Sequence, residues 1–287
     1  MPLSGFNEPG AIHSVVLDFA PHVRYNGQMQ DHRELSGVTA VVTGSSSGIG
    51  RAIALELAAA GAAVMVHARA HFDAAVETSV AVRGQGVETT VELFDLAGAA
   101  AQEALVAAAW RWRGNVDIWI NNAGADVLTG EAAHWPFEQK LDRLWQVDVT
   151  ATLRLSRLAG ARMKARGSGT IINMGWDQAE HGMAGDSGEL FAAVKGAVMA
   201  FTKSLARSLA PEVRVNCLAP GWIKTTWGNK AGGHWQARAV GESLLARWGT
   251  PDDVARVARF LASPAAGFIT GQVIAVNGGH AGSHADD

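Results

Sequence analysis

The sequence predicts a doubly wound α/β fold, in which a parallel sheet is covered by helices on both faces. From residue 38 onward, short β-rich apolar runs alternate with longer helical stretches, which is the pattern of repeated strand–helix–strand units. The segment TGSSSGIG at 43–50 follows the first strand and opens the first helix. Of the 287 residues, 48% are hydrophobic, which suffices for a large core and excludes wholesale disorder. We therefore expect a three-layer αβα domain.

The elements are expected to alternate along the whole of residues 36–287, which we interpret as a single domain. Residues 1–35 carry scattered prolines and glycines without a sustained period and predict an irregular N-terminal arm. On the helix at 188–210, Val194, Val198 and Leu205 recur at helical spacing and mark one buried face. The predicted strands are 38–43, 63–68, 87–93, 116–121, 169–174, 213–218 and 272–276. The predicted helices are 49–60, 71–83, 98–113, 137–165, 188–210 and 251–262.

Composition and charge exclude several classes of protein. The net charge of −3 gives no basic footprint for nucleic acid. Cys217 is the single cysteine, so an intrachain disulfide is impossible and a cytoplasmic location is expected. Apolar runs are too short for a membrane span, and the N-terminus lacks the pattern of a secretory signal. We expect no metal site.

The glycine-rich segment at 43–50 predicts a dinucleotide site of the Rossmann type. Glycines let the backbone turn sharply and approach a pyrophosphate, and the helix N-terminus supplies N–H donors and positive potential. The strand–turn–helix context is what this interpretation requires. The alternative is a glycine turn that binds no ligand.

The end of the second strand indicates which dinucleotide is bound. An acid that would grip the ribose 2′-hydroxyl of NAD is expected here, but the position holds Ala68, followed by Arg69. An arginine can pair with a 2′-phosphate, so the sequence favours NADP. Arg69 as a simple surface charge is the alternative.

These segments together resemble the short-chain dehydrogenase/reductase family over about residues 36–280. TGSSSGIG at 43–50 is that family's glycine loop, Asp95-Leu96 resembles its adenine-side acid, and NNAG at 121–124 resembles its turn beneath the cofactor. RWGTPDDVA at 247–255 and TGQVIAVNGG at 270–279 match its C-terminal part. The resemblance implies a homotetramer or homodimer and a small-molecule substrate. The cofactor-binding residues expected with it are Thr43, Gly44, Ser46, Ser47, Gly48, Ile49, Gly50, Arg69, Asp95, Leu96, Asn122, Ala123, Gly124, Lys195, Pro220, Gly221, Ile223 and Thr225.

The catalytic positions depart from that family. Its chemistry uses a tyrosine four residues before a lysine, a serine at a strand end and an asparagine on a long helix. Here Lys195 is present, but Phe191 stands at the tyrosine position, Trp176 at the serine position and Asp148 at the asparagine position. Phenylalanine has no hydroxyl and cannot be an acid. Asp148 is a candidate to hold Lys195 or a water, or only to stabilise its helix.

A replacement proton donor is expected between Trp176 and Phe191. The flanking segments IINM and LAPEVRVN are similar to those of pteridine reductases, which carry an aspartate at the serine position; Asp177 stands one residue later. We predict Asp177 as the donor, with Lys195 and Asp148 as the other catalytic residues. His181 is a lesser candidate, and Tyr25, the only tyrosine, would need the arm to fold over the site. Asp177 as a helix cap is the alternative.

Tryptophans concentrate where a substrate is expected. They could build a flat-walled pocket for a planar ligand, although core packing or subunit contacts explain them equally well. We expect the substrate pocket to contain Trp176, Phe191, Trp222 and Trp227, with Trp235 as a further candidate. The sequence thus predicts an NADP-dependent oxidoreductase that transfers hydride to a small carbonyl, C=N or pterin-like substrate with a rearranged proton relay. A non-catalytic NADP-binding protein, acting as a sensor or oligomer partner, is the alternative.

Overall fold

A seven-stranded parallel sheet forms the centre of the molecule, with strand order β3-β2-β1-β4-β5-β6-β7. The computed structural model describes residues 33–225, 228–229 and 231–280, so Trp227, Tyr25 and most of the predicted arm lie outside the described residues. The doubly wound α/β prediction is confirmed. The strands are β1 (Thr39–Val42), β2 (Ala63–Ala68), β3 (Thr89–Leu93), β4 (Ile118–Asn121), β5 (Gly169–Met174), β6 (Val213–Pro220) and β7 (Val273–Val276).

The central strands are continuous apolar runs because helices cover both faces of the sheet. All six residues of β2 and all four of β1 are buried, and β1 pairs with β2 in the register Ala40↔Val64. The chain leaves β1 in one direction towards β2 and returns to β4 on the other side. This reversal opens a crevice at the carboxyl ends of β1 and β4, where open α/β sheets bind ligands.

The helices are divided between the two faces of the sheet. On one face, Leu57 and Leu261 pack in one core cluster, and on the other, Leu105, Leu155 and Leu205 pack in a second cluster. Both clusters exclude water from the sheet and supply most of the driving force for folding. The helices are α1 (Gly48–Ala59), α2 (Phe72–Arg83), α3 (Ala99–Arg113), α4 (Phe137–Leu144), α5 (Thr152–Arg166), α6 (Gln178–His181), α7 (Asp186–Leu209), α8 (Gly233–Gly241) and α9 (Pro251–Ala262).

The helix predicted over 137–165 is interrupted by a π-helical segment, Trp145–Ala151, between α4 and α5. The segment carries Asp148, which is 2% exposed and accepts a hydrogen bond from the Ala125 backbone N–H. Single-turn π segments often occur at functional sites. Here the wider turn accompanies a carboxylate held against the loop after β4.

A buried polar network fastens α5 and α7 to the sheet. Asn121 on β4 donates to Ser156 on α5 at 2.8 Å and to Asn173 on β5 at 2.9 Å. Asn173 in turn donates to Thr202 on α7 at 3.0 Å. Because each of these buried groups has a partner, the network is compatible with the core and makes the placement of α7 specific. The helix that carries Phe191 and Lys195 is therefore held in register with β4 and β5.

The end of the predicted arm joins the described domain. Leu35 is 1% exposed, belongs to the core cluster beneath α1 and donates its backbone N–H to Ala60 O at 2.8 Å. Glu34 accepts from Arg259 on α9 at 2.7 Å. In the part of the chain that the structure describes, no helix is long and apolar enough to cross a membrane.

Candidate functional site

Two neighbouring cavities occupy the crevice at the carboxyl ends of the strands. The first, which we call the glycine-loop groove, has a volume of about 520 Å³ and runs from the loop at 44–50 past Arg69 and Asp95. The second, which we call the aromatic cavity, has a volume of about 370 Å³ and is lined by four large rings. The two cavities adjoin, since they share the lining residues Ile49, Asn122, Leu128 and Thr225.

The glycine loop packs closely against the turn after β4 because two of its positions have no room for a side chain. Gly44 has φ +64°, and a Cβ there would lie 2.8 Å from the Ala123 Cα. A Cβ on Gly50 would overlap the Gly44 carbonyl and the Asn122 side chain. The loop therefore lies against the turn after β4, and the N-terminus of α1 opens into the space above it. Backbone N–H groups at such a terminus suit a phosphate.

Thr43 and Asn122 tie the glycine loop to the turn after β4. The Thr43 hydroxyl accepts from the backbone N–H groups of Asn122 at 2.9 Å and Ala123 at 3.0 Å. The Asn122 side chain donates to the Thr43 and Gly44 carbonyls at 3.0 and 3.1 Å. Thr43 is 1% exposed, so its role is to shape the groove from below.

His67 is a further residue of the loop's support that the sequence reasoning missed. Its Nδ1 accepts from the Gly44 N–H at 3.1 Å, so Nε2 carries the proton and donates to Phe94 O at 3.1 Å. Burial lowers the pKa of His67 to about 4, against the hydrogen bond to Phe94, which raises it. A neutral imidazole thus bridges the ends of β1 and β3 at neutral pH. In the sequence, the signal was its position as the penultimate residue of β2, at the carboxyl end of the strand.

The far end of the groove carries basic side chains around one acid. Arg69 and Arg143 line it, and Arg143 lies 3.4 Å from Asp95. Burial acts to raise the pKa of Asp95, but the Ala97 N–H and the Arg143 guanidinium outweigh it and keep that pKa below its usual value. Arg69 adds to the same effect. Sequence reasoning identified Arg69 and Asp95 but missed Arg143, which approaches from α4.

Lys195 and Asp148 form an ion pair where α7 meets the π-helical segment. The Lys195 ammonium lies 2.8 Å from Asp148 Oδ1, with side-chain exposures of 14% and 2%. The other carboxylate oxygen accepts from the Ala125 N–H at 2.8 Å. Of the alternatives for Asp148, the geometry is that of a direct contact with Lys195. Lys195 also lines the aromatic cavity.

The aromatic cavity is walled by Trp176, Phe191, Trp222 and Trp235. Trp176 and Phe191 meet edge to face with ring centroids 6.1 Å apart, and Trp222 and Trp235 lie 5.6 Å apart. Among the described lining residues, Lys195 is the only charged one. Ser187 also lines the cavity, two helical turns before Lys195 on α7. The sequence reasoning missed it, although this spacing places it on the same side of the helix as Lys195.

Asp177 lies behind the cavity wall and is not among its described lining residues. Its carboxylate accepts from the Gln178 N–H at 2.8 Å, as the N-cap of α6, and from the Asn277 side chain at 3.1 Å. Burial raises the pKa of Asp177, while the hydrogen bonds from Asn277 and Gln178 lower it. The structure thus does not bring Asp177 together with Lys195 in the cavity. His181 is exposed and stacks on His280 with ring centroids 4.4 Å apart.

Glu242, another residue that the sequence reasoning missed, organises the outer wall. It is 8% exposed and accepts from the Trp222 indole N–H at 2.7 Å and from Arg238 at 2.6 Å. The Arg238 guanidinium lies over the rings of Trp222 and Trp235, at 5.7 and 5.5 Å from their centroids. This arrangement holds α8 against the loop after β6.

The residues expected to bind a cofactor are divided between the two cavities. Pro220, Gly221 and Ile223 line the aromatic cavity with Lys195, and Thr225 lines both. Thr43 supports the groove from beneath. The expected residues that line the glycine-loop groove are Gly44, Ser46, Ser47, Gly48, Ile49, Gly50, Arg69, Asp95, Leu96, Asn122, Ala123 and Gly124.

The fold and the groove define a nucleotide-binding α/β protein, and comparison with known proteins narrows the class. The family model described as enoyl-(acyl carrier protein) reductase matches residues 44–281. A dehydrogenase/reductase SDR family member 4 from Sus scrofa is 35% identical over 261 residues, covering 88% of this chain and 90% of that protein. A tropinone reductase-like 3 from Erythroxylum coca is 33% identical over 253 residues, covering 86% and 94%.

Solved structures agree with these relatives. A 7α-hydroxysteroid dehydrogenase complexed with NADH and 7-oxo glycochenodeoxycholic acid superposes with a TM-score of 0.79 at 29% identity, over 87% of this chain and 96% of that one. A gluconate 5-dehydrogenase from Burkholderia cenocepacia, in complex with NADP and tartrate, gives 0.76 at 31% identity, over 86% and 96%. The chain belongs to the short-chain dehydrogenase/reductase family. It is an oxidoreductase, as the sequence predicted.

Proposed function

We propose that this oxidoreductase uses NADP(H) and transfers hydride to a small carbonyl or C=N substrate, with a rearranged proton path. The observation that carries the proposal is the junction of the two cavities. A groove with an open glycine loop and a basic far end adjoins a cavity that contains Lys195 and is otherwise largely apolar. Such an arrangement separates a site for a phosphate-bearing cofactor from a water-poor site for its substrate.

The groove fits a dinucleotide. Gly44 and Gly50 let the loop pack against the turn after β4, and the N-terminus of α1 offers backbone donors to a pyrophosphate. Lys195 would hold the nicotinamide ribose, the role that its family position implies. The nicotinamide, when bound, supplies or accepts the hydride.

The preference for NADP rests on the chain's own side chains, since solved relatives are complexed with NADH in one case and NADP in another. Ala68 cannot hold a ribose diol, and Arg69 and Arg143 place two guanidinium groups on the groove. Guanidinium groups pair with phosphates through charge-assisted hydrogen bonds. We therefore assign the 2′-phosphate to this end of the groove.

The proton path differs from our expectation at Asp177. That carboxylate caps α6 and accepts from Asn277, so we leave it out of the proposed path. The polar side chains that the described cavity lining offers are Lys195, Ser187, Asn122 and Thr225. For a carbonyl substrate, the Lys195 ammonium is the group in the cavity that can donate to the substrate oxygen. Asp148 keeps that ammonium in place.

The cavity also narrows the substrate class. A pterin carries several ring donors and acceptors, each of which is costly to bury without a partner. A mainly aromatic wall with few polar groups favours a compact carbonyl or imine compound over a pterin.

The proposal is tested with purified protein by calorimetric titration of NADPH and NADH, followed by an absorbance screen of NADPH oxidation over ketones, imines and pterins. We expect tighter binding of NADPH, and turnover confined to carbonyl or C=N compounds. Lys195→Ala should weaken both binding and turnover. Lys203→Ala, an exposed lysine on the same helix, is the matched control and should change neither.

Two results would overturn the proposal. If neither dinucleotide binds, the assignment of the groove is wrong. Tight NADPH binding with no turnover across the whole panel would support the alternative of a non-catalytic NADP-binding protein.

A further inference from the structure

Trp176 and Phe191 in the cavity wall and Asp148 beside Lys195 act together on charge and proton supply. We propose that the aromatic cavity takes a substrate that is already positively charged, an iminium ion, so that the enzyme reduces C=N⁺ in preference to neutral C=O. Phe191 supplies no proton, Trp176 supplies an aromatic face, and Asp148 neutralises Lys195. The inference rests on the proposed function, because it takes hydride transfer from NADPH as given.

The absence of an acid at Phe191 suits this substrate because its reduction consumes no proton. Reduction of an iminium carbon forms one C–H bond with hydride from a reduced nicotinamide, which is left oxidised as the pyridinium. The C=N π pair becomes the nitrogen lone pair, and the product is a neutral amine. Reduction of a ketone leaves an alkoxide instead, which needs a positioned acid worth about 10²–10⁴ in rate.

The ion pair removes the net charge that would otherwise repel a cation. Lys195 is the only charged side chain among the described residues of the cavity wall, and Asp148 lies 2.8 Å from its ammonium. A lysine without this carboxylate would present a full positive charge in a poorly solvated space, where charges interact more strongly than in water. With Asp148 the lysine end of the cavity is neutral overall.

The rings of the cavity are suited to a cation, and two of them already contact one. The Arg238 guanidinium lies over the rings of Trp222 and Trp235, at 5.7 and 5.5 Å from their centroids. Arg238 itself is not among the described residues that line the cavity. Trp176, in the loop after β5, and Phe191, one turn before Lys195 on α7, meet with ring centroids 6.1 Å apart at an interplanar angle of 68°. Aromatic faces attract cations electrostatically, most strongly where water is excluded.

Two carboxylates lie behind the part of the cavity wall that Trp222 and Gly221 form. Glu242 accepts from the Trp222 indole N–H at 2.7 Å, although Arg238 balances its charge. Asp177 Oδ2 lies 2.9 Å from the position a Cβ would take on Gly221, which lines the cavity. Because Arg238 balances Glu242, the carboxylate of Asp177 is the negative charge behind the wall that adds to the preference for a cation in the cavity.

Binding tests the cavity without turnover. The probes are N-methylisoquinolinium, which has a permanent charge, and methylnaphthalene, its uncharged carbon isostere, each titrated into the full chain without dinucleotide. We expect the cation to bind about tenfold more tightly, and Trp176→Leu to remove most of that difference. Trp112→Leu, a tryptophan on α3 outside both cavities, is the control. Equal or tighter binding of the isostere would overturn the inference.

Turnover separates the inference from the function on which it rests. The substrates are N-methyl-dihydroisoquinolinium and α-tetralone, a ketone of similar shape, each with NADPH and a protein-free reaction subtracted. We expect kcat/KM to be at least about 100-fold higher for the iminium ion, the lower bound for a missing positioned acid. If the ketone is reduced as well or better, the inference fails and the proposed function stands. If neither is reduced although NADPH binds, the inference fails, and the proposed function fails with it only when the whole panel of ketones, imines and pterins also gives no turnover.

Discussion

The carboxylate of Asp148 lies 2.8 Å from the Lys195 ammonium, and its second oxygen accepts from the Ala125 N–H. The pair joins the π-helical segment, α7 and the loop after β4, which are distant in sequence. Its two members are nearly buried, so each depends on the other for compensation of its charge. This dependence makes the pair important to the fold as well as to the site.

Asp148→Ala is expected to lower the free energy of unfolding by about 2–4 kcal/mol, because it leaves the Lys195 charge poorly solvated. Urea unfolding at neutral pH measures the change. The exposed Asp142 on α4 is the matched control, and Asp142→Ala should stay within about 0.5 kcal/mol of wild type. The double variant Asp148→Ala/Lys195→Met should recover part of the loss. A double variant as unstable as the sum of its single changes would contradict the pairing.

Arg69→Ala is expected to weaken NADPH binding about 10- to 30-fold and to leave NADH binding nearly unchanged. The physical reason is the loss of a charge-assisted hydrogen bond to the 2′-phosphate. Calorimetric titration measures both affinities, with Arg83→Ala, an exposed arginine at the end of α2, as the control. Ala68→Asp should move the preference towards NADH. Equal losses for both dinucleotides in Arg69→Ala would show that the arginine does not read the 2′-phosphate.

Phe191→Tyr is expected to raise the rate of ketone reduction tenfold or more, because it puts a phenol one helical turn before Lys195. A positioned acid of this kind contributes about 10²–10⁴ in rate, of which an unoptimised site would recover part. Initial rates with α-tetralone and NADPH measure the gain. The control is Phe201→Tyr, at a partly buried phenylalanine of the same helix that packs against the core. A ketone rate that stays at the wild-type value would argue against proton supply as the limiting step.

The strands were predictable because buried parallel strands are continuous apolar runs. The predicted segments 63–68 and 169–174 coincide with β2 and β5. The helix predicted over 137–165 shows what helical periodicity in the sequence cannot predict, which is an interruption within a helix. The π-helical segment of seven residues, Trp145–Ala151, carries Asp148, whose contacts with residues 125 and 195 no local pattern reveals.

The groove was predictable because its glycines and the NNAG turn specify the local backbone geometry through their residue types. The direction in which a side chain points after the end of a strand could not be predicted in the same way. Asp177 was expected to face the cavity, but its partner Asn277 lies 100 residues further along the chain. Arg143 was missed because it reaches the groove from another element, α4, whereas His67 at the end of β2 and Ser187 on the helix of Lys195 had a local signal that was overlooked.

The neutral imidazole of His67 accepts from the Gly44 N–H and donates to Phe94 O. Burial lowers its pKa from 6.5 to about 4, so between these pH values the unfolded chain binds a proton that the folded chain does not. The free energy of unfolding therefore falls as the pH falls below 6.5, until the folded state also becomes protonated near pH 4. At neutral pH this penalty is absent.

Between pH 7 and pH 5, the wild-type protein is expected to lose about 2 kcal/mol of stability through His67. His67→Asn keeps a short acceptor near the Gly44 N–H but cannot titrate, so its stability should fall by about that much less over the same interval. Urea unfolding at both pH values gives the difference for each protein, and taking differences cancels the contributions of the other nine histidines among the ten in the chain. His71→Asn, at an exposed position before α2, should retain the wild-type slope. If His67→Asn and the wild type lose stability equally, protonation of His67 does not oppose the fold, and its hydrogen bonds to Gly44 and Phe94 do not require the neutral ring.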